Sequence, residues 1–83
     1  MHDKTMTERA KECINIIKKI TESLGIPADS YEVTELRNKM NEYIRSGETW
    51  IGTVDFSHYG RIAECSFPKK AGRLVEVTLK KIN

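Results

Sequence analysis

One short stretch of the chain carries the side chains best suited to acid–base chemistry: Asp55, His58, Tyr59 and Arg61. A carboxylate, an imidazole and a phenol can each move a proton when a substrate lies within hydrogen-bond reach. The same residue types also gather at solvated turns, where they bond to water and to nearby backbone. No nucleophile lies close to them in the sequence, and 83 residues leave little room for a deep cleft. We therefore expect a polar turn and no enzyme, with a small enzyme as a remote alternative.

The two cysteines, Cys13 and Cys65, could form a redox or nucleophilic pair. Neither belongs to a C-x-x-C motif, and Cys13 is not at a helix N-terminus, where a thiolate would be stabilised. Both fall on predicted apolar faces, where a free thiol behaves as a small hydrophobic group. His2 and His58 do not add the spacing of metal ligands. We predict no catalytic, cofactor or metal site, and buried reduced thiols favour a cytoplasmic or otherwise intracellular protein.

Basic side chains could contact a nucleic acid through phosphate groups, because lysines and exposed turn amides attract anions. They form two groups at opposite ends of the predicted sheet: Lys69, Lys70 and Arg73 at one end, and Arg61, Lys80 and Lys81 at the other. Lysines at such positions also discourage aggregation through sheet edges. The chain has 14 basic and 12 acidic side chains and a pI of 8.6, which permits nucleic-acid binding without favouring it.

Two amphipathic helices are predicted in the first half of the chain. Thr5 and Glu8 form a capping box at the start of the first helix, and Gly25 ends it. The second helix follows the cap signal at Ser30 and ends at Gly47. Apolar residues recur at helical spacing in both. The first stripe is Met6, Ala10, Cys13, Ile17, Ile20 and Leu24, widened by Ile14 and Ile16, and the second is Val33, Leu36, Met40, Tyr43 and Ile44.

From Thr49 onward the apolar period falls to two residues, which is typical of half-buried strands. Matching apolar positions across three such runs predicts that Trp50 pairs with Phe67 and Cys65 with Val77. This register leaves residues 57–60 as one hairpin loop and residues 70–72, closed by a Lys69–Arg73 pair, as the other. The side chains predicted to face the helices are Trp50, Val54, Phe56, Ala63, Cys65, Phe67, Val75, Val77 and Leu79.

The predicted fold is therefore α+β, with two N-terminal helices packed on one face of a three-stranded antiparallel meander in a two-layer sandwich. We expect residues 1–4 to be a frayed N-terminus and residues 5–82 to form a single domain. The longest apolar stretches are only a few residues, so we expect no membrane span. The first residues also lack the apolar run of a signal peptide.

The interpretation that this architecture favours is a small interaction module, of the regulator, adaptor or inhibitor type, that binds another protein. The surfaces for such binding are the open sheet face and the edge of strand three, with Ile51, Ile62, Leu74 and Thr78 as candidate contacts. Pairing of strand three with its own copy would give a homodimer. The alternative is a nucleic-acid-binding domain that uses the basic turns. An RNA platform on the sheet face is disfavoured, because that face has no aromatic residue and carries three acidic ones.

Overall fold

The computed structural model describes residues 3–82, which form two helices followed by three strands. The elements are α1 (Met6–Leu24), α2 (Tyr31–Ser46), β1 (Trp50–Phe56), β2 (Arg61–Phe67) and β3 (Glu76–Lys81), with a short 3-10 turn at Ser57–Tyr59 between β1 and β2. The strands form an antiparallel sheet in the order β1-β2-β3, and α2 contacts both α1 and β1. The predicted α+β fold with a β-meander is confirmed.

The helix ends lie where their capping residues place them. The Thr5 side chain accepts a hydrogen bond from the Glu8 backbone N–H, and the Glu8 carboxylate accepts one from the Thr5 N–H at 2.9 Å. At the start of α2 the Ser30 side chain accepts a hydrogen bond from the Val33 backbone N–H at 3.3 Å. Gly25 and Gly47 end α1 and α2 with φ angles of 64° and 71°, the left-handed conformation that glycine adopts at least cost.

The strand register agrees with the one that alternation predicts. Trp50 lies opposite Phe67 in the β1–β2 pair, and Cys65 lies opposite Val77 in the β2–β3 pair. The strand residues predicted to face the helices all belong to the core. Val54, Phe56, Ala63, Cys65, Phe67 and Val75 are buried, while Trp50, Val77 and Leu79 are half-buried and pack against them. A shift by one residue would have exposed this whole set, so the core fixes the register.

The predicted apolar stripe of α1 is wrong at Met6, Ile14 and Leu24, which are exposed. The buried part of the stripe is Cys13, Ile17 and Ile20. The helix has 19 residues and is about 28 Å long, whereas strands of six or seven residues span about 20–24 Å. Met6 and Leu24 are the end residues of this longer helix, and Ile14 lines the groove between α1 and α2 together with Arg37 and Asn41.

The predicted second hairpin loop is also wrong. The last residue pair between β2 and β3 is Ser66 with Glu76, so the connection runs over residues 68–75 and contains no Lys69–Arg73 pair. Pro68 has no N–H to continue the ladder. The Lys69 N–H bonds to the side chain of Thr49 at 3.2 Å.

The N-terminal segment takes the place of the missing ladder. The Lys4 N–H donates to the Lys69 carbonyl at 2.8 Å, and Asp3 forms an antiparallel bridge with Lys70. The Lys4 side chain is buried and pairs with Glu12 at 2.9 Å. Of the segment 1–4 that we expect to be frayed, the structure describes Asp3 and Lys4 with these contacts, and residues 1 and 2 lie outside the described part of the chain.

Candidate functional site

The outer edge of β3 is the candidate site, because β3 is the last strand of the sheet and its outer side pairs with no other strand within residues 3–82. The Ile82 N–H donates to the Gly60 carbonyl at 3.0 Å, which identifies the groups of β3 that point toward β2. In an antiparallel ladder these groups alternate from residue to residue. The even-numbered residues of β3 therefore bond to β2. The N–H and C=O groups of Val77, Leu79 and Lys81 point outward and are free to pair with an added strand.

The side chains along this edge differ between the two faces of the sheet. Glu76, Thr78 and Lys80 are exposed on the open face. Val77 and Leu79 are half-buried on the helix side, where they pack against the core. The Lys80 ammonium lies 3.1 Å from a Glu64 carboxylate oxygen, but both side chains are more than half exposed, so this ion pair is weak. An added strand would thus meet an acid, a hydroxyl and a base on one face and aliphatic carbon on the other.

The opposite edge of the sheet, at β1, differs because α2 lies beside it. Asn38, Lys39 and Glu42 of α2 line a depression of about 730 Å³ together with Thr53 and Asp55 of β1. Polar and charged side chains therefore flank this edge. Because α2 contacts β1 and a helix beside an edge hinders pairing there, the β3 edge is the better position for a long extended segment.

The apolar residues proposed as contacts are not gathered into one patch. Ile51 is 74 % exposed and Leu74 is 73 % exposed, while Ile62 is only 37 % exposed. Ile51 and Asp55, the β1 partner of Ile62, are four residues apart along β1, which corresponds to about 13 Å. Leu74 lies beside α1 and not on the sheet face, since it lines a depression with Ile16.

Thr78 is the proposed contact that lies on the candidate edge itself. It stands opposite Glu64 in the β2–β3 pair. Thr78 and Ile51 line the same shallow depression of about 390 Å³ on the open face. A segment paired with β3 could reach this depression with the side chains that it places on the open face.

The basic residues remain in two groups. Lys70 and Arg73 are exposed in the 68–75 connection, whereas Lys69 is half-buried and both of its backbone polar groups are bonded. At the other end of the sheet Arg61 lies opposite Lys81, and Lys80 is engaged with Glu64. The length of β3 separates the two groups, so they do not form one continuous basic surface.

The residues considered for acid–base chemistry are used in the turn between β1 and β2. The Asp55 carboxylate accepts a hydrogen bond from the Ser57 N–H at 2.7 Å, which stabilises the turn. The His58 and Tyr59 rings meet edge to face with centroids 5.1 Å apart. Asp55 and Ser57 line the depression beside α2, but His58 does not. Whether the chain is an enzyme stays a prediction from the sequence.

Cys13 and Cys65 are both free thiols with buried side chains. Burial raises the pKa of Cys65 to about 11, and burial together with the Glu12 carboxylate raises that of Cys13 to about 12. Both are therefore neutral thiols near pH 7, which agrees with a packing role. Within the described residues no cluster of His, Cys, Asp and Glu could hold a metal ion. His2 lies outside those residues.

These buried groups predict a loss of stability in alkaline solution. Burial also raises the pKa of Tyr43 to about 12. Because the folded pKa values lie above the ordinary values of 9.0 for the thiols and 10.0 for the phenol, the stabilisation is complete below about pH 9 and is lost as the pH rises toward 11–12. Each group should lower the free energy of unfolding by up to about 1.4 kcal/mol per pH unit in this range. Urea unfolding at several pH values measures this slope. A Cys13→Ala, Cys65→Ala double variant should show a flatter pH slope, and an unchanged slope would contradict the assignment.

Arg9 is a buried residue that the sequence analysis missed. Its guanidinium donates to the Ile44 carbonyl from Nε at 3.1 Å and from Nη2 at 2.7 Å, and it also donates to the Lys4 carbonyl. The guanidinium lies over the Tyr43 ring at 5.9 Å. Ile44 is in the last turn of α2, where carbonyls lack a partner within the helix. The sequence feature that could have revealed this burial is the position of Arg9 on the apolar face of α1, three residues after Met6 and four before Cys13.

Comparison of the chain with protein families, curated proteins and solved structures found no match. Among residues 3–82, neither helix has the length and apolar character needed to cross a lipid bilayer. The functional interpretation therefore comes from the arrangement of the described residues, and above all from the β3 edge.

Proposed function

We propose that this chain is a small non-enzymatic interaction module that binds a protein by pairing an extended segment with the edge of β3. The observation that carries the proposal is the outward direction of the backbone groups of Val77, Leu79 and Lys81, derived from the Ile82–Gly60 hydrogen bond. Strand addition of this kind draws its affinity from main-chain hydrogen bonds. Its selectivity comes from the side chains next to the edge.

In this proposal the open sheet face adds contacts next to the β3 edge and is not a separate binding surface. Ile51 and Ile62 stand apart on it, and Leu74 lies beside α1. An apolar docking surface needs a contiguous patch. The shallow depression that holds Ile51 and Thr78 is instead placed to receive side chains of a segment paired with β3.

Nucleic-acid binding is the weaker alternative. It would use Lys70 and Arg73 at one end of the sheet, or Arg61 and Lys81 at the other. The two groups are separated by the length of β3 and form no continuous basic surface. Under this alternative, binding would weaken steeply with salt, because each neutralised phosphate releases counterions.

A proline at position 79 tests the edge directly. Leu79→Pro removes an outward N–H but leaves the bonds between β2 and β3 in place, because Leu79 stands in a pair that exchanges no hydrogen bonds. Leu79→Ala is the matched control, since it loses the same side chain and keeps the N–H. Thr78→Pro would be a poor test, because the Thr78 N–H points toward β2 and its loss would damage the sheet.

The measurement is capture of host proteins by each purified variant from an extract with and without nuclease treatment, with circular dichroism to verify folding. We expect the wild type and Leu79→Ala to retain the same protein and Leu79→Pro to lose it. Equal capture by Leu79→Pro and Leu79→Ala would contradict binding at the edge. Capture that nuclease abolishes would favour the nucleic-acid alternative instead.

A further inference from the structure

We propose that the segment which pairs with the β3 edge is β3 of a second copy of this chain, aligned antiparallel about a two-fold axis at Thr78. This inference rests on the proposed function and deepens it by naming the partner. A two-fold dimer brings the same surface of each copy together, so the edge must be complementary to itself. The sequence of β3 meets this requirement in one register.

The backbone restricts the registers that are available. Only odd-numbered residues of β3 have their N–H and C=O groups directed outward. Directly opposed residues exchange both bonds, so an odd residue must face an odd residue. A two-fold axis between two residues would place odd residues opposite even ones, so the axis must lie at a residue of β3. The positions inside the strand are Val77, Thr78, Leu79 and Lys80.

The charges of β3 select Thr78 among these positions. With the axis at Thr78, Glu76 of each copy lies opposite Lys80 of the other, which gives two oppositely charged pairs on the open face. An axis at Lys80 would place two lysines directly opposite each other. An axis at Val77 or Leu79 would leave both charges opposite uncharged residues. Opposite charges across an antiparallel pair are favourable and like charges are unfavourable.

The remaining contacts in this register are also complementary. The two Thr78 side chains meet at the axis, and Val77 lies opposite Leu79 on the helix side, where both are half-buried. Each Val77–Leu79 pair would exchange two main-chain hydrogen bonds. The two sheets would then join into one six-stranded sheet, a common size. A contact of about five residues from each copy is short, so we expect a reversible dimer.

Two single charge reversals test the register. In Glu76→Lys both cross-strand pairs become lysine against lysine, and in Lys80→Glu both become glutamate against glutamate. Each variant alone should dimerise at least about tenfold more weakly than the wild type. In a mixture of the two variants, each mixed dimer regains two opposite-charge pairs. Mixing should therefore restore dimerisation, and sedimentation velocity from about 10 µM to about 1 mM measures it.

Glu22→Lys is the control, because it makes the same change of charge on the exposed surface of α1 and should leave dimerisation unchanged. A wild type that stays monomeric over this range would overturn the inference, as would a mixture that associates no better than its components. If the wild type is monomeric and Leu79→Pro still loses capture of another protein, the second copy is wrong and the proposed function stands. If Leu79→Pro retains as much host protein as Leu79→Ala, the proposed function itself fails.

Discussion

Replacing Phe67 with alanine is expected to lower the free energy of unfolding by about 3–5 kcal/mol. The Phe67 side chain is fully buried, and its ring centroid lies 5.4 Å from that of Tyr43 and 5.1 Å from that of Trp50. It therefore joins α2, β1 and β2 at one point. Domains are stable by roughly 5–15 kcal/mol, and an 83-residue chain should lie near the lower limit. The variant should be largely unfolded at 37 °C.

Urea unfolding followed by the fluorescence of Trp50, the single tryptophan of the chain, measures this loss. Phe67→Leu keeps most of the buried volume and should lose less than half as much stability. Tyr31→Ala is the aromatic control. Tyr31 is 73 % exposed and should contribute less than about 0.5 kcal/mol. Equal losses for Phe67→Ala and Tyr31→Ala would contradict the described core.

Replacing Arg9 with methionine is expected to lower the free energy of unfolding by about 2–4 kcal/mol. Methionine fills a similar volume but donates no hydrogen bond. The carbonyls of Ile44 and Lys4 would lose the guanidinium that now bonds to both of them. The Tyr43 ring would also lose its contact with the cation. Chemical denaturation of the purified variant measures the change.

Lys11→Met is the matched control for Arg9→Met, because Lys11 is an exposed base on the same helix. Its effect should stay within about 0.5 kcal/mol. Arg9→Lys separates charge from geometry, since an ammonium cannot repeat the forked contacts of a guanidinium. We expect Arg9→Lys to lose more than about 1 kcal/mol. If Arg9→Met were as stable as Lys11→Met, the network around Arg9 would not support the fold.

The strand register could be predicted because two features of the sequence agree on it. The alternation of apolar residues places Trp50 opposite Phe67 and Cys65 opposite Val77, and the four-residue turn at 57–60 fits that pairing. Burial of one face makes the register a global property, since a shift of one residue would expose every core side chain. Helix ends were predictable for a local reason, because Thr5, Ser30 and the terminal glycines satisfy backbone groups within one turn.

The second loop and the N-terminal segment could not be predicted because their hydrogen bonds join residues far apart in the chain. Lys4 bonds to Lys69, and Tyr43 donates to the Pro68 carbonyl at 2.7 Å. Neither contact has a local signature in the sequence. A turn does form at residues 70–73, where the Arg73 N–H donates to the Lys70 carbonyl at 3.3 Å, but the β2–β3 ladder ends at Ser66 and Glu76 and does not reach it.

The candidate site was predictable only in part. The order of the strands already implied that β3 would be an edge, and Thr78 was correctly placed on it. The direction of each N–H could not be read from side-chain alternation, because both hydrogen-bonding phases give the same pattern of faces. The Ile82–Gly60 bond resolves the phase. Ile51 and Ile62 lie apart because Ile51 is four residues along β1 from Asp55, the partner of Ile62. Leu74 lies in the 68–75 connection beside α1, and the sequence pattern did not predict that position.

Amide hydrogen exchange at single residues of β3 tests the central claim most directly. In dilute solution we expect the amides of Thr78 and Lys80 to exchange slowly, since they bond to β2, and those of Val77 and Leu79 to exchange fast. At concentrations where the chain associates, Val77 and Leu79 should become protected as well. Slow exchange of Leu79 and fast exchange of Lys80 in dilute solution would contradict a free β3 edge with these outward groups.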